Sequence, residues 1–311
     1  SQLTKFDSSA KDYLCKCIKE KFGDTVQITV NGNKENYLVT AYFESMNQMG
    51  EILRIHQDVP TNMGDASGGV AFQIDFEELE KNIKLKTKAV IVNSPNNPSG
   101  VVYSEETIKK LSALLEDKSN KRGEPIYLIA DEPYREIAFN GVNVPYLPKY
   151  YKDSIVCYSW SKSLSLPGER MGYVLVPDQV TDSKMVYAAV AGAGRSLGYV
   201  NAPGLFQRVC AMCANETADI SIYETNKNLL MKGLTSMGYS VVEPGGTFYM
   251  FPRTLDADDI AFCEAAKKHD LLIVPGTGFG CPSHARISYC VPTERIERSL
   301  SAFEALAKEY L

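Results

Sequence analysis

Ser159-Trp160-Ser161-Lys162-Ser163-Leu164-Ser165-Leu166-Pro167-Gly168-Glu169-Arg170-Met171-Gly172-Tyr173 is the stretch on which the reading of this chain turns. It follows Ile155-Val156-Cys157-Tyr158, an apolar run of the kind that forms a buried strand. Lys162 therefore sits just past a strand end, among serines, with Arg170 further along. A lysine in such a place can lose its proton and act as an amine nucleophile. Hydroxyls and a guanidinium around it suit a phosphate. The combination points to a lysine that holds a phosphorylated aldehyde covalently. A polar loop after a strand is the alternative reading of the same residues.

Outward from this stretch, two more apolar runs end in polar loops. Ala89-Val90-Ile91-Val92 leads into Asn93 to Gly100, which contains Ser94-Pro95-Asn96-Asn97-Pro98-Ser99-Gly100. Ile126-Tyr127-Leu128-Ile129-Ala130 leads into Asp131-Glu132-Pro133-Tyr134. Continuous apolar runs are typical of parallel strands. Between them, Ile108, Leu111, Leu114 and Leu115 fall at helical spacing over Glu105 to Glu116. Strand, helix, strand implies a right-handed crossover and a parallel sheet. The segment from Glu136 to Lys152 reads as irregular. Gly172 to Pro177 reads as a further strand. The three loops then leave one edge of the sheet, where ligands bind in open α/β folds.

The flanks are less regular. Residues 7–22 read as an amphipathic helix, Val26 to Val30 and Tyr37 to Thr40 as short strands, and Asn31-Gly32-Asn33 as a turn. Residues 41–71 read as a possible helix over 44–50, a strand at Ile52 to Ile55 and a loop from Thr61 to Gly69. Within that loop, Ser67-Gly68-Gly69 reads as a turn or, less simply, a phosphate cradle. Asp75 to Ile83 reads as a helix. Thr181 to Gly238 is mainly helical, then short strands are expected at Ser240 to Val242, Phe248 to Phe251, Leu271 to Val274 and Ala285 to Cys290. Helices are expected over Asp258 to His269 and Thr293 to Tyr310.

The chain has 311 residues, 44% of them hydrophobic, enough for a full core. A formal net charge of -5 offers no basic field for nucleic acid. No apolar run reaches the length of a membrane span, and the start lacks a secretory signal pattern; a cytoplasmic location is expected. Cys210 and Cys213 form a CxxC without a matching second pair, and His56, His269 and His284 are scattered, so no metal site is expected.

With these motifs in order, the chain resembles the fold-type I aminotransferases that use pyridoxal phosphate, class I/II of the aspartate aminotransferase superfamily. Asn97-Pro98, Asp131 with Tyr134, Ser159-x-Ser161-Lys162 with Arg170, and Arg286 in Ala285-Arg286-Ile287-Ser288 carry the resemblance, over about Phe72 to Leu311. It implies an α/β fold with a large, mostly parallel sheet domain over 31–220. A smaller α+β domain would be made from both chain ends, 1–30 and 221–311. Lys162 would form a Schiff base with the cofactor and shuttle the α-proton. Asp131 would keep the ring nitrogen protonated. Asn97 and Tyr134 would hydrogen-bond the phenolic oxygen. Ser159, Ser161 and Arg170 would hold the phosphate. Arg286, with Asn97, would clamp the α-carboxylate. The activity implied is transfer of an amino group between an L-amino acid and a 2-oxo acid, by a homodimer. The strand Tyr37 to Thr40 runs on into Ala41-Tyr42-Phe43-Glu44, without the family's small-residue phosphate loop, so the N-terminal third reads as shortened. Another pyridoxal phosphate reaction on this scaffold, a C–S lyase or a decarboxylase, stays open, as does a non-catalytic shortened relative.

Overall fold

A computed structural model describes residues 26–33, 36–43, 51–55, 61–62 and 72–311. The helix expected over 7–22, the helical reading of 44–50 and Ser67-Gly68-Gly69 lie outside the described residues. Strands β1 (Val26–Asn33) and β2 (Asn36–Phe43) pair antiparallel, with Asn33 opposite Asn36. The expected turn at Asn31-Gly32-Asn33 is instead part of β1, because pairing continues to the last residue of that strand. This hairpin belongs to a compact unit, Ser1–Glu51; Ile52–Leu311 forms a second.

The second unit is built on a five-stranded sheet. Its strands are β3 (Glu51–Arg54), β6 (Thr87–Asn93), β7 (Tyr127–Asp131), β8 (Ser154–Ser159) and β9 (Gly172–Leu175), in that spatial order. Two short strands, β4 (Thr61–Asn62) and β5 (Gln73–Ile74), pair apart from it. β6, β7 and β8 are parallel; β9 returns antiparallel to β8. Gly172 is needed at that return, since a Cβ there would lie 2.5 Å from the carbonyl oxygen of Tyr158.

Side chains alternate across the sheet. Val90, Val92, Leu128, Ala130 and Val156 enter one core with Ile108, Leu111 and Leu115. Ile91, Ile129 and Cys157 point to the other face and are only half-buried. Those three leucine and isoleucine positions come from the helix Glu105–Arg122. Ser104 caps its start, accepting from Thr107 N at 3.1 Å, and Gly123 ends it at φ 74°. The helix outruns the expected Glu116. Its last residues are polar and carry no periodic signal, yet Lys121 pairs with Asp117 at 2.7 Å and Arg122 Nη2 donates to Pro125 O at 2.6 Å.

A second core gathers Leu230, Leu234, Phe262, Ala266, Phe303 and Leu306. These come from helices Ser221–Ser236, Asp259–Lys267 and Thr293–Ala307. They pack with a small antiparallel sheet in which β12 (Ala285–Ser288) lies between β10 (Tyr249–Met250) and β11 (Val274–Pro275). The strand expected at Ser240 to Val242 does not form; Ser240 O instead accepts from Arg253 N at 2.9 Å. Tyr134, Ile137 and Phe139 reach into this second core from the segment after β7. Among the described residues no helix is long and apolar enough to cross a membrane, and no group of three or more metal-ligating side chains occurs.

Leu111 is fully buried, so Leu111→Ala should cost about 2–5 kcal/mol of stability. Ser104→Ala, which removes only a cap, should cost about 1 kcal/mol. Urea unfolding midpoints, compared at unchanged slope, check both.

Candidate active site

Asn93, Asp131 and Ser159 are the last residues of β6, β7 and β8. Parallel register sets Asn93 beside Asp131 and Asp131 beside Cys157. Each apolar run stops where its polar residue reaches the sheet edge, so the three loops emerge together. A cleft of about 400 Å³ opens there, lined by Asn93, Asn97, Asp131, Cys157, Arg54 and Phe279, among others.

Asp131 is half-buried. Burial pushes its carboxyl above the usual carboxylate range, and the charge of Arg54 acts the other way. No ion pair reaches it among the described residues. Its hydrogen bonds run to Asn93, whose Nδ2 donates to Asp131 O at 2.9 Å and lies 3.4 Å from Oδ2.

Ser159 caps the short helical turn Trp160–Ser163 that carries Lys162. Its Oγ accepts from Ser161 N at 3.1 Å and lies 2.7 Å from Ser161 Oγ. Ser163, buried in the same turn, bonds Tyr158 Oη at 2.8 Å, which pins the turn to β8. Lys162 Nζ lies 5.8 Å from the ring centre of Tyr134 and 5.4 Å from that of Phe248. It forms no hydrogen bond or ion pair among the described residues. Tyr134 is buried; burial first, then the neighbouring Tyr249 and the charge of Asp131, push its phenol far up. Tyr134 therefore stays a neutral hydroxyl near both the amine and the carboxylate.

Arg286 lies on β12. Its Nη1 donates to Asn97 Oδ1 at 2.9 Å. Its guanidinium carbon sits 4.5 Å from the ring centre of Tyr249 and 4.8 Å from that of Phe279. Its Nε is buried and has no acceptor among the described residues. The loop bearing Asn97 can approach because of glycine. A Cβ on Gly100, at φ 73°, would lie 2.5 Å from Pro244 Cβ, and one on Gly246 would lie 2.8 Å from Pro95 Cβ.

Lys162, Tyr134, Asp131, Asn97 and Arg286 are thus linked through shared neighbours, and Ser159 with Ser161 supports the lysine turn. Arg170 stands apart. It ends the turn Pro167–Glu169 in a left-handed conformation, φ 54°, and its exposed side chain folds back so that Nη1 donates to Pro167 O at 2.6 Å. Arg195 is exposed on the helix Ser183–Ser196. Asn93, Phe248, Tyr249 and Phe279 also belong to the site but were not singled out from sequence. For Asn93 a signal existed: a polar residue ends an apolar strand next to the Asn-Pro loop. Phe279 lies in a Gly-rich loop with no such mark.

The sequence profile of the family described as "Aminotransferase class I and II" matches residues 26–303. A crystallised amino transferase from Eubacterium rectale shares 60% sequence identity, with a TM-score of 0.75 over 77% of this chain and 60% of that one. The aspartate aminotransferase of Thermotoga maritima is 29% identical over 236 residues, 75% of this chain and 59% of that protein. Aromatic-amino-acid aminotransferase 2 of Thermococcus litoralis is 29% identical over 249 residues, 76% and 62% respectively. The chain spans about three-fifths of the length of these curated relatives.

A carboxyl whose folded pKa is raised favours the folded state only at low pH, and that contribution is lost as pH rises through the folded value. Asp131→Asn should therefore raise the thermal unfolding midpoint of ligand-free protein near neutral pH. The gain should vanish below about pH 4, where free aspartate is itself protonated. Scanning calorimetry across that range checks the sign.

Proposed function

The chain belongs to the class I and II aminotransferases, and from that premise we propose that it moves an amino group from an L-amino acid to a 2-oxo acid, with pyridoxal 5'-phosphate as cofactor. One observation carries this reading: among the described residues Asp131, Lys162 and Arg286 have no ion pair, and Asp131 reaches Arg286 through Asn93 and Asn97. Burial pushes the Asp131 carboxyl up, Arg286 Nε is buried without an acceptor among the described residues, and Lys162 Nζ lies near the rings of Tyr134 and Phe248. A cationic ring nitrogen, an α-carboxylate and an aldehyde are the groups that complement them, so the residues fit this cofactor. The chemistry it supplies when bound is an electron sink for the pair left on the substrate α-carbon.

The chain's own residues then divide the work. Lys162 would hold the aldehyde, and its amine would carry the proton to and from the α-carbon. Asp131, charged beside a cation, keeps the ring nitrogen protonated; the pairing removes the burial penalty on its carboxylate. Tyr134 donates from a hydroxyl that stays neutral at all working pH. Asn97 hydrogen-bonds the ring oxygen with the amide nitrogen that Arg286 leaves unused. Ser159 and Ser161 offer hydroxyls to the phosphate, and Arg170 would exchange Pro167 O for a phosphate oxygen. Arg286 keeps its fork toward the α-carboxylate because Asn97 takes only Nη1. We further propose a cytoplasmic homodimer, a cofactor domain over 31–220, and a smaller domain of 221–311 together with 1–30.

Incubation with pyridoxal phosphate should turn the protein yellow. Borohydride should then fix a phosphopyridoxyl group on the peptide containing Lys162, and Lys162→Ala should take up none; an unlabelled Lys162 in the wild type sinks the reading. A panel of aspartate, aromatic and other amino donors against 2-oxoglutarate names the substrate, since relatives carry both aspartate and aromatic names. Release of pyruvate or carbon dioxide without an acceptor acid would mark a lyase or a decarboxylase instead. Arg286→Ala should raise KM for the donor about 10- to 150-fold, the worth of a hydrogen bond to a charged group.

A further inference from the structure

Asn93 uses both ends of its side-chain amide. Nδ2 donates to Asp131 O at 2.9 Å and lies 3.4 Å from Asp131 Oδ2. Oδ1 accepts from Asn97 N at 2.7 Å. The amide can point only one way, because the Asn97 N–H can only donate and the Asp131 carbonyl can only accept. Asn97 Oδ1 in turn accepts from Arg286 Nη1 at 2.9 Å. One hydrogen-bonded chain therefore runs from Asp131 through Asn93 and Asn97 to Arg286. It connects the two ends of the site that face opposite charges.

We propose that Asn93 is a positioning residue for amino-group transfer, holding the Asp131 carboxylate and the Asn97–Arg286 pair in a fixed relation across the cleft. This rests on the reading of the site given above. Without Asn93, the loop after β6 and the end of β7 would lose their side-chain link and keep only the backbone pairing of the strands, and small misplacements of a reacting centre are costly. Asn93 also presents an N–H to the charged form of Asp131, which favours that form. The other groups that feel Asp131 are Arg54 on β3, whose charge favours the carboxylate, and Glu132, Tyr134 and Cys157, which gain from its neutralisation.

Two substitutions separate the two ends. Asn93→Asp keeps an acceptor for Asn97 N but loses the donor and sets a second carboxylate beside Asp131. Asn93→Ala removes both links. In ligand-free protein, each should raise the folded pKa of Asp131, so the loss of stability should grow as pH rises through that value. Thermal midpoints over about pH 4–8 should show this for both variants, and for Asn93→Ala, which adds no titrating group, the pH-dependent part should disappear in the Asp131→Asn background. In the loaded enzyme, Asn93→Asp should weaken pyridoxal phosphate binding about tenfold while leaving KM for the donor near wild type. Asn93→Ala should weaken cofactor binding and raise KM together.

A loss of stability that is equal at every pH and survives in the Asp131→Asn background would mean an ordinary structural amide and would overturn the proposal. So would unchanged cofactor affinity and KM in an Asn93→Ala protein that binds and turns over. Those outcomes leave the aminotransferase reading intact. Wild-type protein that takes up no pyridoxal phosphate would overturn that reading, and the positioning role with it.

Discussion

The hydrogen bond from Arg286 to Asn97 joins residues 189 positions apart, and the site exists because that bond can form. Arg286 comes from the small antiparallel sheet of one core; Asn97 comes from a loop at the edge of the parallel sheet of the other. Two glycines permit the approach, since any Cβ on Gly100 or Gly246 would collide with a proline across the gap. The contact is part of a packed boundary between two cores, and Asn97 also lines the cleft at the end of the parallel sheet. Ligand clefts at such boundaries are common because two rigid walls can each contribute a few polar groups.

Much of this was legible in the chain itself. The three strand ends could be read because each apolar run stops at a polar residue, and the parallel register then brings Asn93, Asp131 and Ser159 to one edge. Lys162 followed from its place after such a strand. Arg286 did not: a lone arginine on a short strand has no local signal, and only the resemblance pointed to it. The side chain of Arg170 was equally out of reach. Its direction depends on a left-handed turn end and a carbonyl three residues back, which spacing does not encode. The role of Asn93 depends on side-chain contacts with Asp131 and Asn97, which its place at the start of the Asn-Pro loop does not encode. The helix over Glu105–Arg122 ran past its expected end for a similar reason: ion pairs and a glycine cap extend a helix without any apolar period.

Asp131 shows the cost of such a site. Its burial works against its own charge, so the ligand-free fold gives up stability that an asparagine would restore. Natural proteins hold strained or unfavourable groups at functional sites and offset them elsewhere. Here the offset lies close by, in Leu111, Leu115 and Val92, which pack with almost no exposure. The charge of Arg54, which also lines the cleft, acts against that burial.

Comparison with the other buried charges separates function from architecture. Lys227 is fully buried, yet its Nζ meets Glu243 Oε1 at 2.7 Å. Glu132 is buried and meets Arg135 Nη2 at 2.6 Å. Asp259 is buried and accepts from Thr277 N at 2.7 Å and from Ser283 N at 3.3 Å. Each has a partner inside the protein, as folding asks of a buried charge, although Glu132 Oε1 and Glu136 Oε2, like Arg286 Nε, are buried with no hydrogen-bond partner among the described residues. Asp131, Lys162 and the Nε of Arg286 have no ion pair among the described residues; Asp131 lines the cleft with Asn97, and Arg286 reaches Asn97 from β12. A single unmatched charge could be a local imperfection. Asp131 and Arg286, of opposite sign and linked through Asn93 and Asn97, suit a ligand that carries a cation and a carboxylate.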